Sequence, residues 1–343
     1  MPLTEVPQVV ALARTAPPLW IDWGQHVRTR SLTRRLGIEL LEIPGRGTHI
    51  ARYARSAART LAAIHRLRPA VVIATNPSLV LGVLLQVLRP FYGFALVSDA
   101  HYGGVRSLSG KGLLQRCLDA HNARADLVIV TNESQAAYLR ALGSRTLVCA
   151  DPLPEVPRPD IAVAAPERSV FLVCSFDADE PYVAVFEAFE QLQARGYTLI
   201  VSGNYRKARI RPESFPWVRF LGFAPEAEYY AYLRACSLVI DLTTLEDCLV
   251  CGAYESLAAG KPLITSATRT LQEYFGEAAM YTESTPAAIA ASVERAYALR
   301  EELVDHAQTW LARNEADFAV RLKRLSNELQ GLAARDQTAH PSR

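Results

Sequence analysis

Two stretches of this chain carry side chains whose types and spacing suit chemistry on a polar, anionic ligand. The more telling is residues 237–266, SLVIDLTTLEDCLVCGAYESLAAGKPLITS. Seven residues separate Asp247 from Glu255. With Asp247 at a helix entrance, Glu255 lies about two turns in and near the same face, because eight positions advance ~2.2 turns. Two acceptors placed so can hold two ends of one ligand, sugar hydroxyls at one and ribose hydroxyls at the other. Between them, backbone N–H groups near 249–252, those of Cys251 and Gly252 included, would face a diphosphate that the helix dipole favours. A glycine at 252 lets that ligand approach the backbone. Glu246, beside Asp247, can substitute for it in a shifted register. The plainer reading makes Asp247 an N-cap and Glu255 a surface residue.

Other polar groups stand where strands are predicted to end. Gly203 opens a loop holding Arg206, Lys207, Arg209 and Arg211. An arginine can clamp a diphosphate bidentately, and a lysine adds a point charge. In the first half, a predicted strand at 94–98 runs out into Asp99, Ala100 and His101. Asp99 and His101 are both candidates for acid–base or charge-stabilising work. As plain structure, Asp99 caps a turn and His101 packs. The loop at 14–26 sets Gly24 ahead of a helix N-terminus, where with Arg28 it can meet a phosphate or an acceptor. Trp20 and Trp23 of that loop either stack on a sugar ring or join the core.

The elements that must position these groups alternate. Strands are predicted at 9–13, 38–43, 70–75, 94–98, 126–131 and 146–150, with helices at 27–36, 50–66, 78–88, 111–123 and 133–142. The strands are short and apolar on both sides, as a parallel sheet covered on both faces requires. Residues 151–168 contain five prolines and are expected to form a linker. The rhythm then resumes, with strands at 170–175, 197–202, 218–222, 238–242, 262–266 and 279–282. Helices are expected at 182–195, 225–235, 250–259, 269–275 and 286–300, and a last one from about 301 to 334 that can cross back to the first domain. The expectation is an α/β chain of two doubly wound domains, 1–150 and 169–334, facing across a cleft, with a polar, disordered tail at 335–343. In such sheets ligands bind beyond the carboxyl ends of the strands.

The second half resembles the retaining GT-B glycosyltransferases of family 4. The residues that carry the likeness are Asp247, the seven that follow, and Glu255-Ser256-Leu257-Ala258-Ala259-Gly260-Lys261-Pro262. Val218-Arg219-Phe220-Leu221-Gly222 is similar to the family strand whose backbone reads the nucleobase, which draws in Phe220 and Gly222. The Gly203–Lys207 stretch, 203–207, stands where the family places basic residues on the diphosphate. A functional histidine of the family falls near His101. The resemblance implies sugar transfer from a nucleotide-sugar, a UDP-sugar, to a hydroxyl acceptor such as a surface-glycan or lipid-linked precursor. It also implies no metal and no cofactor other than the nucleotide-sugar co-substrate. The chain departs from the family at Asp247, where Glu is preferred. It departs again at Asp177-Ala178-Asp179-Glu180-Pro181, where Lys-Gly is usual, and at the closely spaced Arg206 and Lys207. Inverting GT-B enzymes often use an aspartate base on the first domain, which Asp99 could be. A sugar-nucleotide epimerase of the same fold and a non-catalytic nucleotide-sugar-binding protein are the rival readings.

Composition narrows the classes. The 343 residues are 50% hydrophobic, enough for two cores, and the formal charge of +2 offers no case for nucleic acid as a partner. Locally the balance differs. Ten arginines fall between Arg28 and Arg68 against Glu39 and Glu42, a segment that could meet an anionic membrane surface or substrate. The most apolar run, 78–88, is too short to span a bilayer and reads as a buried helix. No basic region with a long apolar run opens the chain, and six scattered cysteines fit reduced thiols, so a cytoplasmic protein is expected. Cys248 and Cys251 form a C-x-x-C with no second pair at metal spacing. Neither a Walker loop nor G-x-G-x-x-G occurs, against ATPase and dehydrogenase readings.

Overall fold

The computed structural model describes residues 17–44, 48–107 and 112–339. The strand expected at 9–13, and Arg46 of the arginine-rich segment, lie outside them. The chain divides into two compact units, one running to Pro152 and resuming at Asp317, the other Leu153–Ala316.

The first unit is a six-stranded parallel sheet. Its elements are β1 (Leu19–Asp22), α1 (Val27–Leu36), β2 (Glu39–Glu42), α2 (His49–Leu67), β3 (Val71–Asn76), α3 (Leu79–Tyr92), β4 (Ala95–Ala100), α4 (Tyr102–Val105), α5 (Gly112–Arg124), β5 (Leu127–Val130), α6 (Glu133–Ala141) and β6 (Thr146–Val148). The strand order is β2-β1-β3-β4-β5-β6. Successive side chains of a strand point to opposite faces, so an apolar run feeds two cores. Trp20, Val71, Ile73 and Val97 pack with Leu32 and Leu36 of α1 and with Phe318, Leu322 and Leu329 near the chain's end. Ile21, Val72, Ala74 and Leu96 pack on the other face with Ile64 of α2 and Leu81 and Leu85 of α3.

The second unit repeats the plan with β7 (Ser169–Leu172), α7 (Tyr182–Leu192), β8 (Thr198–Ser202), β9 (Val218–Gly222), α8 (Glu226–Ala235), β10 (Leu238–Asp241), α9 (Cys251–Ala258), β11 (Leu263–Ser266), α10 (Arg269–Phe275), β12 (Ala279–Thr282) and α11 (Pro286–Ala298). A long α12 (Arg300–Ala339) begins in this unit, where Ala307 and Trp310 join a core with Phe275. From Asp317 onward it belongs to the first unit. The strand order is β12-β11-β10-β7-β8-β9, again all parallel.

Several expectations are corrected. The residues read as a loop at 19–22 are β1, because Trp20 and Ile21 are fully buried. Trp20 is therefore core, its indole N–H donating to Thr75 Oγ1 at 3.0 Å. The 78–88 helix continues through Pro90 to Tyr92, and its outer face is exposed rather than buried. The polar tail remains helical to Ala339. The proline-rich segment is no free linker. Val156, Val163 and Ala165 pack beside Phe171 and Leu233, and Arg234 donates to the Val156 and Pro157 carbonyls at 2.7 Å each.

In both sheets the chain reverses its direction of growth beside the first strand. β1 lies between β2 and β3, and β7 between β8 and β10. Helices on either side of such a switch point cross to opposite faces, which opens a crevice at the strands' carboxyl ends.

Candidate active site

In the second unit, the loop after β7 occupies the switch point and joins its neighbours. Glu180 accepts the Ser175 and Asp177 backbone N–H groups at 2.9–3.1 Å and so folds the turn. Asp179 accepts the Thr243 hydroxyl and the Thr244 N–H, both at 2.7 Å, which ties the turn to the loop after β10. Asp177 accepts from Lys207 at 2.5 Å, which ties it to the loop after β8. The departure from the family's Lys-Gly is thus an acidic turn that organises both flanking loops.

The basic pair sits on a 3-10 turn, Tyr205–Ala208, entered through Gly203. Gly203 has φ of +97°, and a Cβ there would fall 1.9 Å from the Cys174 carbonyl oxygen, so no other residue fits. Its N–H donates to the Gly222 carbonyl at 2.9 Å, which holds the basic loop to the end of β9. Arg206 is exposed, and Lys207 is exposed but engaged by Asp177. Phe220 does not face a ligand edge alone. Its ring packs edge-on to Phe186 at 5.4 Å and against Tyr205 at 5.2 Å. The neighbouring Phe223 is 90% exposed at the carboxyl end of β9, an aromatic surface that sequence reading passed over.

The acidic stretch is placed differently from the expectation. α9 starts at Cys251 with Val250 as N-cap, so Asp247 lies in the preceding loop and not at the helix entrance. Asp247 is half-buried, and Glu246 accepts the Arg269 N–H at 2.7 Å at the start of α10. Cys251 is exposed and Cys248 half-buried, and neither is in a disulfide. Glu255 stands on the second turn of α9 and accepts from the Tyr229 hydroxyl at 2.5 Å and the Tyr230 hydroxyl at 3.3 Å. Burial raises its pKa, and the two phenols oppose the rise.

A residue unmarked by sequence reading lies beneath these. Asp241, the last residue of β10, is buried and accepts from the Gly252 and Ala253 backbone N–H groups. A Cβ at Gly252 would meet Asp241 Oδ2 at 2.6 Å, so glycine is needed for the carboxyl group rather than only for a ligand. Asp241 Oδ2 has no hydrogen-bond partner. Burial, with Glu180 and Glu255 adding repulsion, pushes its pKa well up, which favours the protonated form.

The first unit gathers its own cluster. Asp99 lies inside β4 and is fully buried, where a position just past the strand was expected. Arg28, expected to face an anion in solution, is buried too. Its Nε and Nη2 lie 3.3 and 3.2 Å from Asp99 Oδ1, its Nη1 2.5 Å from Asp151, and its Nη2 2.8 Å from the Cys149 carbonyl. Arg28 thus drops out of the arginine surface: a buried guanidinium must be paired, and two carboxylates meet it. Burial alone would raise Asp99, but Arg28 and then His101 overcome it and hold its pKa at about 2.

His101, at the entrance of α4, places Nε2 3.4 Å from Asp99 Oδ2, and its ring centroid is 5.0 Å from that of His26. His26 caps the approach to α1 and lies 2.8 Å from buried Asp22, which also accepts the Gly24 N–H at 2.8 Å. The hydrogen bond to Asp22 raises the His26 pKa. The space at Gly24 admits that ring, since a Cβ there would lie 2.9 Å from His26 Cε1. Sequence reading named Gly24, Arg28, Asp99 and His101 but missed Asp22, His26 and Asp151. An Asp-x-x-x-His spacing at a strand end was the available signal for the first two; Asp151 had none.

Among the described residues no group of three or more His, Cys, Asp or Glu side chains is placed to hold a metal ion, and no helix is long and apolar enough to cross a membrane.

Residues 167–298 match the family of glycosyl transferases described as group 1. No match is found among curated protein sequences. Solved structures share the fold over most of the chain. Sucrose-phosphate synthase from Thermosynechococcus elongatus is 17% identical, with a TM-score of 0.73 over 92% of this chain and 99% of that one. Anabaena HepE in complex with UDP and glucose is 14% identical, with a TM-score of 0.69 over 92% and 99%. A 2-epimerase for UDP-N-acetylglucosamine, so described for Listeria monocytogenes, is 13% identical, with a TM-score of 0.58 over 85% and 90%. The fold is GT-B, and the segment that matches the group 1 glycosyl transferases lies within its second unit.

Proposed function

We propose that this protein is a glycosyltransferase that moves a sugar from a UDP-sugar to a hydroxyl acceptor. One observation carries the reading: the segment matching group 1 glycosyl transferases is the one that sets the acidic loop, α9 and the Gly203–Lys207 turn, 203–207, around the second unit's switch point. The likeness to a protein crystallised with UDP and glucose supports UDP as the leaving group.

In this reading Glu255 accepts the ribose hydroxyls, since each of its oxygens keeps a lone pair beside its phenol partner. Phe223 stacks on the base. Arg206 and Lys207 meet the diphosphate, Lys207 exchanging Asp177 for it, so that no metal is needed. The acceptor oxygen bonds to the anomeric carbon while the bond from that carbon to the diphosphate oxygen breaks. The electron pair leaves with UDP, and the acceptor proton passes to the diphosphate on the same face, with retention. Asp99 supports this over an inverting path, because a carboxylate engaged by Arg28 is a weak base. His26 and His101 act as hydrogen-bond donors at the first unit's crevice, and His26, its pKa raised by Asp22, also as a cation. The acceptor is a surface-glycan or lipid-linked precursor. A cytoplasmic setting suits the six cysteines, none of them in a disulfide.

The test is a panel of UDP-sugars with and without an acceptor alcohol, in the presence of a chelator. UDP release that rises with acceptor, with the anomer retained by NMR, supports transfer. Conversion of a UDP-sugar to its epimer without UDP release replaces it with the epimerase reading. Binding without turnover leaves a nucleotide-sugar-binding protein.

A further inference from the structure

The outer face of α3 is unexplained by the core. Leu81 and Leu85 point inward and pack on the sheet, which suffices to hold the helix. On the opposite face Val80, Val83, Val87 and Phe91 are 46%, 58%, 58% and 69% exposed. Their spacing of three, four and four residues draws one stripe along the helix. A helix apolar on both faces needs an apolar partner on each.

Beside it lies α2, joined to α3 through the Ile64, Leu67, Leu85 and Leu88 contacts and the Tyr92–His65 approach of 3.4 Å. α2 contains four arginines and no acidic residue. Arg55, Arg59 and Arg66 are exposed on it, and Arg68 caps its end over the Tyr92 ring, 4.9 Å from the centroid. Glu39 stands 4.0 Å from Arg66, and Arg30, on another helix, takes up Glu42. Ile50 and Leu61 add exposed apolar surface on another side of α2.

From this juxtaposition we infer that the α2–α3 face docks on an anionic membrane surface, the α3 stripe entering the headgroup–acyl boundary and the α2 arginines meeting lipid phosphates. Neither helix can cross a bilayer, so the protein lies on it. A second copy of the chain fits the face poorly, because it would bring two sets of arginines together. The inference is independent of the transfer reaction, since none of these residues is placed in the donor or acceptor cluster.

The test is cosedimentation of the full chain with phosphatidylcholine vesicles, with and without phosphatidylglycerol, at low and high salt. The wild type should sediment with the anionic vesicles and be released by salt. Val87→Asp with Phe91→Asp should lower the partition at least about tenfold, because charges replace side chains that enter the bilayer boundary. Arg59→Glu with Arg66→Glu should do the same or more, because each arginine near an anionic surface is worth about a fivefold change. Circular dichroism and unchanged UDP-sugar affinity verify folding in both variants. No sedimentation of the wild type at low salt, or wild-type partition in both variants, overturns the inference. So does a wild-type dimer in light scattering that the α3 variant turns into a monomer without any vesicle binding.

Discussion

Asp99 and Asp241 each lie near the carboxyl end of an inner parallel strand of their own unit, and each is buried. Their chemistry is opposite. Asp99 has Arg28 against it and stays ionised, with a pKa of about 2. Asp241 has Glu180 and Glu255 as its charged neighbours, which favour its protonated form. Burial raises the stakes equally in both; the sign of the neighbouring charge decides the outcome. The first unit has spent its cation on holding a carboxylate inside the sheet. The second holds a carboxyl group of raised pKa under the first turn of α9, where the proposed anionic donor would approach.

The largest effect should come from breaking the first pair. Arg28→Met leaves the Asp99 charge buried and unmatched, which should cost about 3–5 kcal/mol in denaturant unfolding. Adding Asp99→Asn should recover much of that loss. If the single variant unfolds like wild type, the pair is not the cornerstone of its crevice.

Asp241→Asn sharpens the other side. The unfolded carboxyl ionises near 3.8, whereas the folded one holds its proton to higher pH. Wild-type stability should therefore fall as pH rises from about 3.8 toward the raised folded value. The Asn variant lacks that slope and should gain on wild type with pH, by an amount on the order of 1–3 kcal/mol, the scale of one unsatisfied buried polar group. Thermal unfolding at several pH values measures it; parallel curves would show Asp241 ionised.

Phe223→Ala separates donor binding from fold. UDP affinity should fall by roughly 1 kcal/mol, about fivefold, by calorimetry, with no change in melting temperature, since the ring is exposed. An unaltered affinity removes the stacking role.

The smallest effect belongs to His26. Asp22 raises its pKa, so this pair adds stability that is complete below about 6.5 and is lost as pH rises through the folded value. Because the ring is 40% exposed, the term should stay under about 1 kcal/mol. His26→Asn should flatten the slope between pH 6 and 8 in unfolding curves, taking those limits as roughly the unperturbed histidine range.

Much of the architecture was legible. Helices at 27–36 and 269–275 and strands at 218–222 and 279–282 stand on the expected residues, because period and apolar content report local burial directly. β1 was misread because its flanking Pro17, Pro18 and Gly24 look like loop punctuation, while four buried residues are too few to show alternation. The α3 face was misread for the converse reason. An apolar run shows that a helix can be buried, and only the neighbouring elements reveal which side is covered.

The site followed the same division. Asp247, Glu255, Arg206 and Lys207 can be put forward as candidates from sequence because a strand–loop–helix segment keeps its polar groups within a few residues. The partners of Arg28 could not: they stand 71 and 123 positions away, at Asp99 and Asp151. Sequence by itself determined the alternation, the two sheets and the acidic and basic loops at their ends, because these depend on neighbours along the chain. Which carboxylate is charged, which arginine is spent inside and which apolar face is left uncovered were decided by the tertiary structure. Strand order brings distant side chains to one point, and a group's charge state depends on what it meets there.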